Sequence, residues 1–397
     1  MGFLLIDDEP FALKLLSHQL GSLGITDVTL RENAADALAL LETGNQGISL
    51  IFCDLQMPGM DGVEFIRQLV RIGYDGGLVL ISGEDSRILR TAEKLSRAHR
   101  LNVLGALRKP VSPEQLRQVL ENHPEHAVMH GAVRRAYSRG ELWQAITDNV
   151  LVNHYQPKVN LASGAVTGVE VLVRWLHPED GLIYPDQFIA TAEETGLIED
   201  LTRLVLVNAL KQAKAWLDAR LNLNVAVNVS MDNITSLEFP DFVARAAATE
   251  GVPPARLTLE VTESRLMKDP LAALDILTRL RLKHIGLSID DFGTGHSSLA
   301  QLRDIPFDEL KVDRGFVHGA WRDPSIRAIF EASLGMARQL GLKTVAEGVE
   351  DRDDWDFLRT SGCDMAQGYF IARPMPGEQM AGWLAEWQAR FGELGNL

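Results

Sequence analysis

Short apolar runs alternate with stretches of helical periodicity along most of the chain, and two rhythms divide it. In the first, apolar runs at residues 3–6, 28–30, 50–53, 78–81 and 103–107 have helical patterns between them. Such alternation predicts a parallel sheet covered by helices on both faces, here a doubly wound five-stranded α/β fold over residues 1–121. The second rhythm fills residues 141–397, beginning with a helix-like segment at 141–149. Eight short runs follow: HYQPKV (154–159), TGVEVLVRW (167–175), NVAVNV (224–229), LTLEVTE (257–263), GLSIDD (286–291), ELKVD (309–313), KTVAEGV (343–349) and MAQGYF (365–370). Eight strands with helices between most of them, over this length, predict a (β/α)8 barrel of the TIM type. No helix clearly separates the first two runs, and SGAVTG at 163–168 reads as a hairpin turn, which lets the first strand run antiparallel. Residues 122–140 collect His123, His126 and His130 with Pro124 and Gly131; their spacing fits no zinc pattern, so the stretch reads as a linker.

In doubly wound sheets, chemistry gathers at the carboxyl ends of the strands. Those ends carry Asp7, Asp8 and Glu9, then Asp54, Ser82 and Lys109. The three aspartates suit one Mg²⁺, and Lys109 and Ser82 suit the oxygens of a phosphoryl group on Asp54. Each acid also has a plainer reading as a helix cap, but five groups in register exceed what capping explains. The segments DDEP, CDLQMPGMDG, LISG and RKP resemble the motifs of two-component receiver domains. That resemblance implies a flavodoxin-like response regulator domain, phosphorylated on Asp54 by an upstream sensor histidine kinase. One position departs from it: Ala106 stands where the family generally places an aromatic switch residue.

In the barrel region every run carries a polar group: Gln156, Glu170, Asn228, Glu260, Asp290 with Asp291, Lys311, Glu347 and Gln367. A single acid on a strand usually serves structure, whereas a ring of them at one barrel rim reads as a catalytic site. The richest stretch is GLSIDDFGTGHSSL at 286–299, a strand ending on two adjacent carboxylates and a glycine-rich polar loop. Glu170, Asn228, Glu260 and Asp290 are oxygen donors, which select Mg²⁺ or Mn²⁺ over zinc. Asp290, Asp291 and Glu347 carry enough charge for a second ion, and paired hard cations suit phosphodiester cleavage. Lys311 suits a water-orienting or proton-relaying role, and Arg174 a phosphate contact.

The segments EVLVRW, VNVS, LEVTES, IDDFGTGHSSL, LKVDR, VAEGVE and QGYFIARP resemble the successive motifs of the EAL family of cyclic di-GMP phosphodiesterases. The resemblance implies hydrolysis of cyclic di-GMP to linear pGpG, with Glu170, Asn228, Glu260 and Asp290 on one metal and Asp290, Asp291 and Glu347 serving another. It gives Lys311 the attacking water, with Glu347 the competing candidate for general base, and gives Gln156, Arg174 and Gln367 the substrate. Glu263 would anchor the loop 291–298, and self-association as a homo-oligomer is expected. EVL in place of EAL removes no ligand, and His296 stands in the loop where Tyr is frequent.

Composition narrows the partners. Hydrophobic residues make up 46% of the 397, which excludes a largely disordered protein. A net charge of −15 without a basic stripe excludes DNA as the main partner. Cys53 and Cys363 fit no metal spacing and read as reduced core thiols of a cytoplasmic protein. Neither a signal peptide nor a membrane-spanning run is recognised. The rival reading is a non-catalytic cyclic di-GMP receptor, whose mark would be a lost metal ligand or a lost Lys311.

Overall fold

The computed structural model describes residues 2–43, 47–83, 86–121, 137–262, 270–293 and 304–394. The chain divides into two compact units, Met1–Arg134 and Arg135–Leu397.

In the first unit, β1 (Gly2–Ile6), β2 (Val28–Arg31), β3 (Ile48–Asp54), β4 (Gly77–Ser82) and β5 (Asn102–Arg108) form a parallel sheet in the order β2-β1-β3-β4-β5. Alternate residues of the same strands feed two separate cores. Leu4, Ile6, Ile51, Cys53, Leu78 and Leu80 face one side, while Phe3, Leu5, Leu50, Phe52, Val79 and Ile81 face the other. Burial on both faces explains why these strands read as unbroken apolar runs. Strand order reverses between β1 and β3, and Asp7 and Asp54 stand at the carboxyl ends of that pair. Helix Gly62–Ile72 begins hard against β3: a Cβ on Gly62 would lie 2.6 Å from Leu55 Cα, so a side chain there would push the Asp54 turn away.

The second unit is a closed barrel of eight strands. β6 (Leu151–Asn160), β7 (Val166–His177), β9 (Asn224–Asn228), β10 (Leu257–Thr262), β11 (Gly286–Phe292), β12 (Glu309–Val312), β13 (Lys343–Ala346) and β14 (Met365–Ala366) pair in a ring. β8 (Gly181–Ile183) and β15 (Met375–Pro376) attach to its edges. β6 is antiparallel to both neighbours and every other ring pairing is parallel, so the barrel is mixed. The cause is local. Only five residues join β6 to β7, too few for a crossover. Asn160 Oδ1 accepts from the amides of Ala162 and Ser163 (3.1 and 2.9 Å), and Gly164 takes φ 69°, which closes the hairpin.

Three boundaries differ from expectation. β13 ends at Ala346 and β14 at Ala366, so Glu347 and Gln367 sit just beyond their strands. Gly348, at φ 65°, turns the chain out of the ladder there. Residues 137–140, read as the end of a linker, pack with the barrel unit. The Tyr137 ring lies 4.8 Å from that of Trp175, and Ser138 forms a reciprocal capping box with Glu141 on helix Arg139–Thr147. The three linker histidines lie outside the described residues.

Candidate active site

Because side chains alternate along a strand, residues two apart on each barrel strand project into the same interior. Here that interior is charged. Lys311, 1% exposed, stands at its centre with Nζ 2.6 Å from Glu347 Oε1, 3.0 Å from Glu260 Oε2, 3.1 Å from Asp290 Oδ1 and 3.5 Å from Glu170 Oε2. Asn228 Nδ2 donates to Glu170 Oε1 at 2.9 Å. Gln367 Nε2 donates to Glu170 Oε2 (2.5 Å) and to Gln156 Oε1 (3.0 Å), and Gln156 in turn donates to the Ala372 carbonyl (3.0 Å). Gln367 Oε1 is buried with no hydrogen-bond partner, leaving an acceptor beside the acids.

Two groups of carboxylates bring ligand atoms within 4.8 Å of one another: Glu170 with Glu260 and Asp290, and Asp290 with Asp291 and Glu347. Asp290 belongs to both. Asp291 holds φ 55°, a backbone region unfavourable for residues other than glycine, and its amide donates to Asp290 Oδ1 at 2.9 Å. These donors, all oxygen and mostly anionic, fit a hard divalent cation. A cleft of about 340 Å³ opens above them, lined also by Leu172, Arg314, Glu350 and Tyr369.

Protonation reflects the crowding. Burial, then the charges of Asp290 and Glu170, hold the Glu347 carboxyl well above the usual range against the pull of Lys311. Burial likewise raises Glu170, opposed by Lys311 and assisted by Glu260 and Asp290. Glu260 goes the other way: burial opposes its charge, but Lys158 and Lys311 together bring it down to about 2. Lys311 is buried too, and the surrounding carboxylates outweigh that burial and hold it well above the ordinary amine value.

Arg174 is not drawn into this cluster. Its guanidinium stacks 4.9 Å from the Tyr184 ring centre and donates to the Val173 carbonyl at 2.8 Å. Glu263 and loop residues Thr294, His296, Ser297 and Ser298 lie outside the described residues. Lys158, two residues beyond Gln156 on β6, was not singled out in the sequence, although its strand register with Gln156 was a signal that it points inward. His318, Asp351 and Asp354 also stand close together, but Asp354 is occupied by His318 Nδ1 (2.8 Å) and the Gly319 amide (3.0 Å), and Asp351 caps a helix.

In the first unit, Lys109 Nζ bridges Asp7 Oδ2 and Asp54 Oδ2, each at 2.7 Å. Asp7, Asp8 and Asp54 bring ligand atoms within 4.8 Å. Ser82, fully buried, ends the neighbouring strand, and its carbonyl accepts from the Lys109 amide at 2.9 Å. Burial raises the Asp54 carboxyl, against the hydrogen bond from Lys109. Ala106 is half-buried on β5 and packs against the core on one face of the sheet.

Comparison with known proteins places these two sites in context. The family model described as EAL domain matches residues 139–374, and that of the response regulator receiver domain matches residues 3–121. The bifunctional diguanylate cyclase/cyclic di-GMP phosphodiesterase MucR of Pseudomonas aeruginosa is 45% identical over 241 residues, 60% of this chain and 35% of MucR. The chain thus spans about a third of that relative's length. The cyclic di-GMP phosphodiesterase RocR of the same organism is 31% identical over 379 residues, covering 95% of this chain and 96% of RocR. A solved structure titled as the PaMucR phosphodiesterase in complex with c-di-GMP superposes with a TM-score of 0.58 at 45% identity, covering 61% of this chain and 98% of that one.

Proposed function

Since the chain belongs to the EAL domain family and carries a response regulator receiver domain, we propose that it hydrolyses cyclic di-GMP to linear pGpG under control of phosphorylation at Asp54. The observation that carries this reading is the pair of oxygen-donor clusters that share Asp290 around a buried lysine. Glu170, Asn228, Glu260 and Asp290 would hold one Mg²⁺ or Mn²⁺, and Asp290, Asp291 and Glu347 a second. Bound there, such ions activate water and neutralise charge on phosphoryl oxygens.

The chain's own residues do the rest. Lys311 has a fixed ammonium among the ligands, suited to holding and orienting the attacking water. Glu347, whose carboxyl retains its proton more readily than usual, is the competing proton carrier. Gln367 donates to both Gln156 and Glu170, leaving its own acceptor for the substrate. Arg174, stacked on Tyr184, stands ready for a phosphate. In the receiver, Asp7, Asp8 and Asp54 would hold one Mg²⁺ while Lys109 and Ser82 steady the phosphoryl group placed on Asp54 by a sensor histidine kinase. This reading takes the protein to be cytoplasmic and self-associating. Among the described residues no helix is long and apolar enough to cross a membrane.

The test is turnover of cyclic di-GMP with Mg²⁺, following pGpG, with and without acetyl phosphate. Turnover that changes with the phosphodonor in the wild type, but not in Asp54→Ala, is the expected result. Binding without turnover, with Mg²⁺ or Mn²⁺, would make the protein a receptor and overturn the enzymatic reading.

A further inference from the structure

Glu260 is a buried carboxylate held from two sides by two lysines. On the cleft side its Oε2 accepts from Lys311 at 3.0 Å, and on the other side its Oε1 accepts from Lys158 at 2.7 Å. Lys158 Nζ also lies 2.8 Å from Glu309 Oε1, and Ser288 Oγ donates to that same oxygen at 3.0 Å. Lys158 is 4% exposed and Ser288 is fully buried. We propose that Lys158 is a positioning residue that fixes Glu260 as a one-oxygen metal ligand, acting from the barrel mouth opposite the cleft. This rests on the reading of Glu260 as a ligand.

Strand direction explains how a lysine reaches that place. β6 runs against its neighbours, so Gln156 near its middle lines the cleft while Lys158, two residues on, reaches toward the starts of the parallel strands. There it lines a separate cavity of about 540 Å³ with Gly168, Asn224, Thr258, Gly286 and Glu309. A carboxylate with both oxygens unconstrained can swing about its last torsion and offer a cation one oxygen or two. An ammonium fixed on Oε1 removes that freedom and leaves Oε2 as the donor. Lys158 does this without repelling the cation as a bare charge would, because Glu309 neutralises it and Ser288 orients Glu309. Partners that orient a ligand in this way typically matter by about 10- to 100-fold in metal affinity or activity.

The experiment titrates Mn²⁺ into the full-length chain and reads free Mn²⁺ by electron paramagnetic resonance, beside steady-state turnover of cyclic di-GMP. Lys158→Met is expected to weaken Mn²⁺ binding by about 10- to 100-fold and lower kcat in parallel, with KM within about threefold of wild type. Lys158→Arg should recover part of both, and Glu309→Gln should weaken Mn²⁺ binding in the same direction by less. A folded Lys158→Met with wild-type Mn²⁺ affinity would overturn the proposal. If Lys158→Met does not fold, a folded Glu309→Gln with unchanged Mn²⁺ affinity overturns it instead. Glu260→Gln separates the two levels of inference: unchanged Mn²⁺ binding there defeats the ligand reading itself. Weakened binding in Glu260→Gln beside wild-type binding in Lys158→Met defeats only the role of Lys158.

Discussion

Replacing Lys311 by methionine keeps the side chain's length and removes its charge from the middle of four carboxylates. Nζ lies between 2.6 and 3.5 Å from Glu347, Glu260, Asp290 and Glu170, of which all but the half-buried Glu347 are buried. Removing one partner of a buried ion pair costs about 3–5 kcal/mol, because the other charge is left uncompensated. Glu170 and Glu347 already retain protons above the ordinary carboxylate range, so protonation relieves part of the repulsion. The lower end, about 3 kcal/mol, is therefore expected for the metal-free barrel. Bound cations supply the missing positive charge, and ligands that bind only the folded state add stability by mass action. Urea denaturation of wild type and Lys311→Met, each in EDTA and in saturating Mg²⁺, reads both effects from the barrel's own transition. The deficit should shrink to below about 1 kcal/mol in Mg²⁺. Turnover should nonetheless fall by about 10²- to 10⁴-fold with little change in KM, since cations do not replace the ammonium that orients the attacking water. A stability deficit that is absent in EDTA, or equal in both conditions, would refute the charge argument.

Three further outcomes are expected. Glu170→Ala should lose one Mn²⁺ per chain and Asp290→Ala, whose carboxylate is shared, should lose both, each with turnover at background; near-normal turnover in either removes that residue from the ligand set. Mn²⁺ affinity should rise as pH climbs above the ordinary carboxylate range, because the raised carboxyls of Glu347 and Glu170 favour protons with which the cation competes; Glu347→Gln should flatten that slope, and a flat wild-type profile would contradict the shifts. Asp291→Gly should raise metal-free stability by about 1 kcal/mol through relief of the φ 55° backbone while weakening Mn²⁺ binding, and a loss of stability on thermal melting would remove the strain.

Much of this architecture is written in strand runs and their ends. Asp7, Asp54 and Ser82 each follow an apolar run directly and Lys109 follows one after Arg108, so placing the strands places these groups. SGAVTG announced the hairpin that makes β6 antiparallel, since a short polar turn admits no crossover helix. Lys158 was harder to see. A lysine between a proline and a valine on a strand reads as a solvent-facing side chain until the barrel closes over it, and its partners Glu260 and Glu309 lie 102 and 151 residues away. The opposite shifts of Glu260 and Glu347 were equally hidden. Both are glutamates in apolar strand runs, Glu260 within β10 and Glu347 just past β13, and what separates them is that Glu260 has a lysine on each oxygen while Glu347 has Lys311 with Asp290 nearby.

Charge balance in the barrel gives the two-ion reading its physical support. Glu309 neutralises Lys158, which leaves Glu170, Glu260, Asp290, Asp291 and Glu347 facing Lys311 among the described residues of the site. Fully ionised, five carboxylates against one ammonium leave four negative charges, the amount that two divalent cations carry. One cation would leave two of them unbalanced in a setting where burial already resists ionisation. Without metal the same imbalance is reduced by protons, and the acids with raised pKa, Glu170 and Glu347, fall one in each proposed ligand set. A cation entering either set competes with the protons that these raised carboxyls favour, so Mn²⁺ binding should release protons. Calorimetric titration in buffers of different ionisation enthalpy measures that release, and its absence would break the correspondence.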